Sequence, residues 1–452
     1  MSAKLSFCGG AGAVTGANFL LDTGSHKLLV DCGSLESEHV CDVENLADFP
    51  YDPSEIDTLL VTHAHADHIG RIPRLVRAGF RGAIHSTAAT RDLAGLMFDD
   101  AIHVMQEHQL RHGCEPLYDV HDAERALSLW HDHDYHAAFS VGDCTAEFFD
   151  AGHILGSALV RLTRGGRCIL FTGDLGNTPE PLLADTEHPS GAHYLVMESV
   201  YGDRLHEGRA DRRDALRRAV EAVRARGGTL LIPSFSLERT QVILFELNDL
   251  VGTGEMAPIP VYLDAPLAIR ATEVFRKHRD ILNPDARAHF ERGDDPFDFP
   301  QLEVVRHTGE SREIHRDTRA KVIIAGAGMS VGGRIRAHEL EYLPDPRSMV
   351  LFVGFQAPGS LGRRILDGAP SLTIDGTKVP VKAEIASLSG YSGHADRDQL
   401  LSFVEAVGEK IERIFVTMGE PKASLFLAQR IKDFLGVDAS VPERGDTQQI
   451  EF

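Results

Sequence analysis

The chain has 452 residues, 43% of them hydrophobic, with 42 Gly and 21 Pro, which suits two or three domains of a loop-rich α/β protein. Its formal net charge of −21 argues against binding nucleic acid or anionic lipid through bulk charge, although a local basic groove is compatible with it. No apolar run approaches the roughly 18 residues that span a membrane, and from the strand-like N-terminus we expect no signal peptide. The cysteines lack C-x-x-C spacing and predict a reduced, cytoplasmic chain without a disulfide framework: Cys8, Cys32, Cys41, Cys114, Cys144 and Cys168.

The first 35 residues predict a strand, a Gly-rich turn, a strand, a turn and a third strand. Residues 23–26, Thr-Gly-Ser-His between two apolar runs, are typical of a hairpin. Asp31 directly follows the third predicted strand. A carboxylate there is usually a turn former or a cap, but it can also accept a hydrogen bond from a metal-ligating His and orient the ring.

A cluster of three His and one Asp follows the next predicted strand. Residues 56–61 predict a short buried strand, and residues 69–77 the start of a helix. The polar side chains therefore lie in a loop at the C-terminal end of a strand, where α/β sheets place their chemistry. Neutral imidazole and carboxylate are natural ligands of zinc and similar ions. His63 and His65 can hold one ion, and Asp67 and His68 a second.

Residues 91–140 contain further histidines without such a context. His108 and His112 lie four residues apart within a region of mixed helical periodicity and can share a helix face. His131, His133 and His136 lie in a polar stretch. None of them is coupled to the end of a predicted strand, so we expect them to be solvated or structural.

Three later apolar runs also end in a polar side chain. His153 follows one run and is a candidate third ligand of the first ion. Asp174 follows the next and can bridge two ions through its two oxygens, and Glu198 ends another. Because four predicted strands carry polar side chains at their C-terminal ends, we expect one shared edge.

Residues 203–226 predict an arginine-rich helix in an acidic chain, either a solvated helix face or a phosphate contact. Its arginines are Arg204, Arg209, Arg212, Arg213, Arg217, Arg218, Arg224 and Arg226. Residues 285–298 are charged and poor in aliphatic side chains, and predict a loop or insertion. The predicted strands at 322–325 and 349–355 each lead into a Gly-rich turn followed by Arg, where backbone N–H groups can hold a phosphate.

Together these motifs closely resemble the β-CASP branch of the metallo-β-lactamase superfamily, which includes RNase J and the bacterial and archaeal relatives of the cleavage and polyadenylation specificity factor endonuclease. The resemblance covers nearly the whole chain, and the order of the motifs is right. Glu198 matches the first β-CASP motif and His394, in Ser-Gly-His-Ala-Asp, the second. The residues that match the four metal-site motifs are Asp31, the run from His63 to His68, His153 and Asp174.

The resemblance implies an αββα sandwich of the metallo-β-lactamase type, built from residues 1–200 and 375–452. A Rossmann-like β-CASP domain, residues 201–374, would be inserted, and the site would lie in the cleft between the two. The N-terminal KH domains of archaeal relatives are not expected here, because the first motif starts almost at residue 1.

The same resemblance implies hydrolysis of RNA phosphodiester bonds, internally or from the 5′ end, by water activated at two zinc ions, with manganese as an alternative. It implies His63, His65 and His153 on one ion, Asp67 and His68 on the other, and Asp174 between them. Catalytic roles would fall to Asp67, His394 as general acid and Glu198 as its partner, with Asp31 orienting a ligand. Single-stranded RNA is the expected partner, a homodimer or an RNA-processing partner is compatible, and no membrane is expected. The candidate phosphate-binding residues are Ser330, Gly332, Gly333, Arg334, Gly359, Ser360 and Arg363.

One motif departs from the family pattern. The third β-CASP motif commonly supplies a His to the second metal, and here Met418 stands in that place, in Val-Thr-Met-Gly-Glu. A thioether is a poor ligand for zinc or manganese, so we expect a weaker second site. A catalytically silent RNA-binding subunit is therefore one alternative function. Hydrolysis of a small ester or thioester, and DNA in place of RNA, are the others.

Overall fold

The computed structural model describes residues 2–35, 43–206, 211–357 and 359–452 of the chain. The chain folds into two compact units, Met1–Leu205 with His394–Phe452 and His206–Gly393. The strands, in chain order, are β1 (Ser2–Gly9), β2 (Asn18–Asp22), β3 (Lys27–Val30), β4 (Thr58–Leu60), β5 (Ala83–Ser86), β6 (Trp130–Asp132), β7 (Phe139–Val141), β8 (Cys144–Asp150), β9 (Ala158–Arg164), β10 (Arg167–Phe171), β11 (Tyr194–Met197), β12 (Thr229–Pro233), β13 (Val261–Asp264), β14 (Leu302–Val304), β15 (Lys321–Ala325), β16 (Met349–Phe352), β17 (Ser371–Ile374), β18 (Thr377–Pro380), β19 (Glu384–Ser387), β20 (Arg413–Val416), β21 (Ala439–Ser440) and β22 (Thr447–Glu451). The helices are α1 (Val43–Leu46), α2 (Ala66–Ile69), α3 (Ile72–Arg77), α4 (Ala88–His112), α5 (Val120–Ser128), α6 (Arg212–Arg226), α7 (Arg239–Gly252), α8 (Pro266–Lys277), α9 (Pro284–Glu291), α10 (Thr308–Glu313), α11 (Ile335–Tyr342), α12 (Leu361–Leu366), α13 (Arg397–Val407) and α14 (Pro421–Leu435).

The first unit contains two seven-stranded sheets, with strand orders β22-β1-β2-β3-β4-β5-β6 and β21-β20-β11-β10-β9-β8-β7. Apolar side chains from both sheets, such as Phe7, Phe19, Phe171 and Phe415, form one buried cluster between them. The other face of the second sheet packs on α13 and α14 through Phe403, Leu427 and their neighbours, and α4 packs against α5 and β6 beside the first sheet. The αββα sandwich of the prediction is therefore confirmed.

Parallel pairing aligns the strand ends that carry the predicted site. In the first sheet β3, β4, β5 and β6 run parallel, with Val30 opposite Leu60 and Leu60 opposite His85. In the second sheet β10, β11 and β20 run parallel, with Val196 between Phe171 and Phe415. The carboxyl ends of parallel strands share one edge of a sheet, so the loops that follow these strands leave from the same edge.

The second unit is built around a six-stranded sheet of order β14-β13-β15-β12-β16-β19, in which every neighbouring pair is parallel. Its strands are nearly continuous runs of buried residues, as in Leu230–Ile232 and Val322–Ala325, which is typical of a parallel sheet covered on both faces. The unit extends to residue 393, beyond the expected boundary at 374, because β19 pairs with β16.

Two local predictions fail. Residues 285–298 are not all loop, because α9 covers Pro284–Glu291, with Pro284 in its first turn and the Asn283 side chain accepting from the N–H of Ala286 at 2.8 Å. An Asn cap followed by Pro is a helix-start signal.

Cys114 is disulfide-bonded, against the prediction of a reduced chain. Sequence spacing does not show which distant cysteines approach one another. The other described cysteines are free, and Cys41 lies outside the described residues.

Candidate metal centre

Four strand ends of the first unit bring the predicted ligands together. The loop after β4 carries His63, His65, Asp67 and His68, and α2 starts inside it with His65 as the N-terminal cap residue. His153 follows β8, Asp174 follows β10 and Glu198 follows β11. All the predicted ligands except His65 and Asp67 are buried.

The first ligand group consists of three imidazoles and one carboxylate. His65 Nδ1 lies 3.1 Å from His63 Nε2 and 3.2 Å from His153 Nε2. The Asp174 Oδ2 atom lies 3.4 Å from His63 Nε2 and 3.5 Å from His153 Nε2. Two ligand atoms on one tetrahedral zinc, each about 2.0–2.1 Å from it, are about 3.3 Å apart, so these four atoms have the spacing of one coordination shell.

The second ligand group shares Asp174 with the first. Its other oxygen, Oδ1, lies 3.3 Å from His68 Nε2, and Asp67 Oδ2 lies 3.7 Å from the same nitrogen. One carboxylate thus offers one oxygen to each group, the arrangement of a bridging ligand. The structure therefore brings together all six residues predicted to bind metal, in the two predicted sets.

Asp31 and Thr62 orient the imidazoles. Asp31 is fully buried, and its carboxylate accepts from the N–H of Thr62 at 2.8 Å, the Thr62 hydroxyl at 2.8 Å and His68 Nδ1 at 2.7 Å. The Thr62 Oγ1 atom also lies 3.1 Å from His63 Nδ1. A ring that donates from Nδ1 presents the lone pair of Nε2. Asp31 thus occupies the predicted orienting position, whereas Thr62, directly before His63, was missed.

Backbone packing holds the ligand loop. A Cβ atom on Gly33 would lie 1.6 Å from the carbonyl oxygen of Asp67, so only glycine permits this approach. The N–H of Cys32 donates to the His68 carbonyl at 2.8 Å. On the other side, the N–H of His153 donates to Ser157 Oγ at 3.1 Å.

The protonation of the first ligand group suits metal binding. Burial lowers the pKa of His63, His65 and His153, with neighbouring histidines adding to the effect. His68 differs: burial works against its charged form, but Asp174 and Asp31 raise its pKa well above the ordinary value. A cation between His68 and Asp174 would replace that proton, so metal binding at the second group should release one.

The hydrogen bonding of two buried ligand atoms also fits a bound divalent metal ion. His68 Nε2 and Asp174 Oδ1 are buried and face each other at 3.3 Å, and neither has another hydrogen-bond partner in the part of the chain that the structure describes. Buried polar atoms without partners are rare in folded proteins, and an ion is one of their explanations. Neutral imidazoles with carboxylates are the donor set of zinc and related ions.

Glu198 and His394 adjoin the two ligand groups. His394 Nδ1 lies 3.3 Å from Glu198 Oε1 and 3.8 Å from Asp174 Oδ2. Glu198 is buried, and its Oε1 also accepts from the N–H of Leu175 at 2.6 Å. Burial alone would lower the pKa of His394, but the charges of Glu198 and Asp174 raise it to about 9. The imidazole therefore carries a proton at neutral pH.

Met418 lies beside the second ligand group. It follows β20 with a φ of 45°, and it is buried in the apolar cluster between the sheets. It lines a small cavity of about 10 Å³ together with Asp31, Thr62, His68 and Glu198. A volume of that size holds about one water molecule. Met418 and the candidate ligand His68 thus line the same cavity.

The predicted phosphate-binding residues belong to the second unit. Ser330 is buried and its hydroxyl donates to Glu339, and Ser360 caps α12. Arg334 donates to Asp264 at 2.5 Å and to the carbonyl groups of residues 305 and 306. Arg363 pairs with Asp367. The remaining members of the set, all in Gly-rich turns, are Gly332, Gly333 and Gly359. Phosphate binding by this set stays a prediction.

The contacts of the arginine-rich helix α6 favour a solvated helix face over phosphate contact. Arg213 pairs with Asp249 and Glu255, and Arg217 with Asp214 and Glu221. Other arginines of the predicted set pair with acidic side chains too: Arg204, Arg212, Arg218 and Arg226. Arg224 donates to backbone carbonyls, and Arg209 lies outside the described residues.

An αββα sandwich with His and Asp side chains at the C-terminal ends of its strands defines a metallo-hydrolase of the metallo-β-lactamase fold. The chain is 37% identical to Ribonuclease TTHA0252 of Thermus thermophilus, over 93% of this chain and 94% of that protein. It therefore belongs to the β-CASP branch of the metallo-β-lactamase superfamily.

Other comparisons agree with this assignment. Residues 240–365 match the Beta-Casp domain, residues 378–442 the Zn-dependent metallo-hydrolase RNA specificity domain, and residues 3–197 the Anti-Pycsar protein Apyc1. Transcription termination factor FttA of Methanosarcina mazei is 30% identical over 96% of this chain and 70% of that protein. FttA of Pyrococcus abyssi is 33% identical over 87% of this chain, which spans 62% of its length. A crystal structure of a protein of unknown function from Enterococcus faecalis V583 superposes with a TM-score of 0.59 at 12% identity, covering all of both chains, and so shares the fold.

Proposed function

We propose that the chain is a metal-dependent ribonuclease that hydrolyses phosphodiester bonds of single-stranded RNA, with zinc as the metal and manganese as an alternative. The position of Asp174, which belongs to both sets of ligand atoms and offers one oxygen to each, carries the proposal. The substrate class is supported by the name of the Thermus thermophilus relative and by the description of the matched RNA specificity domain.

Two bound divalent ions would lower the pKa of the attacking water and neutralise charge on the phosphoryl oxygens. His63, His65 and His153 would hold the first ion, Asp67 and His68 the second, and Asp174 both. The Asp67 side chain is 22% exposed, unlike the buried ligands around it, so it can also accept a proton from the attacking water.

His394 would protonate the leaving oxygen. Its pKa of about 9 keeps the imidazole charged at neutral pH, and its side chain is 25% exposed. Glu198 is fixed by backbone N–H donors and faces Nδ1 of His394. The carboxylate therefore leaves Nε2 of His394 as the nitrogen that donates a proton to the substrate.

One observation favours a second candidate function, a silent RNA-binding subunit. Met418 replaces the His that the family commonly places at the second metal, so the second ion has one protein ligand fewer. The six retained candidate ligands, Glu198 and His394 favour the enzyme, because the six ligand atoms lie close together and Glu198 faces His394.

The test is cleavage of end-labelled single-stranded RNA and DNA by chelator-stripped protein reloaded with zinc or manganese. We expect cleavage of RNA to return with metal in the natural chain and to be absent in Asp67→Ala. Asp48→Ala is the matched control, because that side chain is fully exposed and belongs to neither ligand group. The product ladder separates internal from 5′-directed cutting.

Each result other than the expected one selects a different function. RNA binding without cleavage by any metal-loaded form would favour the silent subunit, and cleavage of DNA alone would change the substrate class. Full activity in Asp67→Ala would remove Asp67 from the mechanism.

A homodimer or an RNA-processing partner, and a location in the cytoplasm where RNA is turned over, belong to the same proposal. Among the described residues, no helix is long and apolar enough to cross a membrane.

A further inference from the structure

Three histidines outside the metal centre lie on adjacent strands of the first sheet. The strands β5 and β6 run parallel, with His85 opposite His131. His133 follows two residues later, and its N–H donates to the carbonyl of Ser86 at 2.9 Å. Alternate residues of an extended chain face the same side, so the pairing places the three rings on one face.

The separations of the His85 ring from its two neighbours resemble those of the metal centre. His85 Nδ1 lies 2.9 Å from His133 Nε2, close to the 3.1 and 3.2 Å between nitrogens of the first ligand group. The ring centroids of His85 lie 5.1 Å from His133 and 5.4 Å from His131. Corresponding centroids in the first ligand group are 4.9 to 5.0 Å apart.

The cluster is open to solvent, and burial favours the neutral form of His85 and His133. His131 is exposed, whereas His85 and His133 are half-buried. Phe139 covers one side, with its ring stacked on His133 at 3.6 Å. Burial lowers the pKa of His85 to about 4, aided by His133 and His131, and also lowers the pKa of His133. Metal ligation requires the neutral form of imidazole.

We propose that His85, His131 and His133 form a second, separate site for one borderline divalent transition-metal ion such as Zn²⁺ or Cu²⁺. Imidazole is a good ligand for both ions. His85 Nδ1 and His133 Nε2 supply two ligand atoms after a small increase of their separation to about 3.3 Å. Water fills the remaining positions of the open site.

The third ligand requires a rotation of His131. Its ring is stacked on His85 with an interplanar angle of 27°, whereas the rings of the first ligand group meet edge-on at 79–82°. The nitrogen lone pairs of two stacked rings lie in nearly parallel planes and do not converge on one ion. The His131 ring must therefore rotate about its side-chain torsions to face the ion. In the described structure the ring has no hydrogen bond that opposes this turn.

Counting bound ions tests the proposal on the full chain. Zinc per chain is measured by equilibrium dialysis and elemental analysis for the natural protein, His131→Ala, the double variant His131→Ala/His133→Ala and the control His121→Ala, whose side chain is 82% exposed. We expect the double variant to bind one ion fewer than the natural chain and the control to match the natural chain. An equal ion count in the double variant overturns the site, and an unchanged affinity in His131→Ala overturns the third ligand.

A second measurement needs no variant. Modification of the natural protein by diethyl pyrocarbonate is followed by mass spectrometry with and without zinc. Bound zinc should protect His131 and His133 but not His121. Equal modification of His131 and His133 in both states would contradict the proposal even if a variant failed to fold. Neither test uses RNA, so the outcome is independent of the ribonuclease proposal.

Discussion

Asp174 shows what a single residue contributes to this centre. Burial on its own would raise the pKa of the carboxyl, yet His68 and His63 hold it well below its usual range. A buried carboxylate facing several imidazoles is stable only with compensating positive charge. That charge is a proton on His68 or a bound cation, so the same residue that bridges the two ligand groups also couples metal binding to proton release.

Replacing His394 by Ala should slow RNA cleavage by about 10²–10⁴-fold without changing the metal content, because the leaving oxygen loses its proton donor. A phosphodiester with a p-nitrophenolate leaving group needs no such proton and should lose far less activity. The measurement is the rate on both substrates, together with elemental analysis, and exposed His121→Ala is the control. Equal losses on both substrates would remove the general-acid role.

At the scale of elements, the turns that follow the strands carry the candidate ligands. The turn after β20 holds Met418 with a φ of 45°, an uncommon conformation for a non-glycine residue. The N–H of Met418 donates to the carbonyl of Gly10, and its carbonyl accepts from Ser199 at 3.1 Å. The backbone of this turn is thus fixed independently of its side chain, so the position can accept another residue.

Met418→His should strengthen binding of the second ion, because imidazole replaces a thioether beside His68. Metal titration followed by elemental analysis would show a more completely filled second site, with the first unchanged. Met418→Leu is the matched control, since it keeps the apolar volume and removes only the sulfur. If Met418→Leu weakens binding of the second ion, the thioether is a ligand after all. If Met418→His leaves binding of the second ion unchanged, the side chain at position 418 does not face the second site.

Gly33→Ala should disrupt the turn after β3, because its Cβ would meet the Asp67 carbonyl at 1.6 Å. Overpacking of this kind costs about 1–3 kcal/mol or more, and relief by movement of the ligand loop would weaken metal binding too. Denaturant unfolding and metal content measure the two effects. Gly408→Ala is the control, since nothing lies within 4 Å of its Cβ position. Unchanged metal affinity in Gly33→Ala would show that the loop does not depend on this contact.

At the scale of the whole molecule, charge decides how RNA can be bound. The chain carries a net charge of −21, and most of the arginines around α6 are matched by acidic partners. Attraction of RNA by the overall field is therefore excluded as the main source of affinity. Binding has to rest on local groups, with the metal ions themselves among the largest positive charges available.

The pH dependence of stability follows from a buried carboxyl in the second unit. Burial raises the pKa of Glu339 from 4.5 to about 8. Between these values the folded chain holds a proton that the unfolded chain has lost, so this group makes stability fall as pH rises from about 4.5 to 8, by about 5 kcal/mol at most.

Glu339→Gln should remove this decline, since the amide keeps the shape of the protonated carboxyl. The free energy of unfolding, measured by denaturant titration from pH 5 to pH 9, should then fall less steeply with pH than in the natural chain. Exposed Glu341→Gln is the control. Parallel pH profiles for the natural chain and Glu339→Gln would show that Glu339 is ionised in the folded state.

The sequence by itself determined which residues are the candidate metal ligands. Short apolar runs ending in His63, His153 and Asp174 are local signals, because a buried strand and the loop after it are encoded by neighbouring residues. The sequence also shows that Met418 stands where the family commonly has His, because the neighbouring motif residues identify the position.

Only the tertiary structure decided which atoms meet. It joined His85 to His131 and His133 and paired Arg334 with Asp264. These contacts link residues far apart in the chain, and no local pattern specifies them. The physical reason is that strand pairing and packing are satisfied over the whole fold, so the partner of a side chain depends on the register of strands that the sequence does not place side by side.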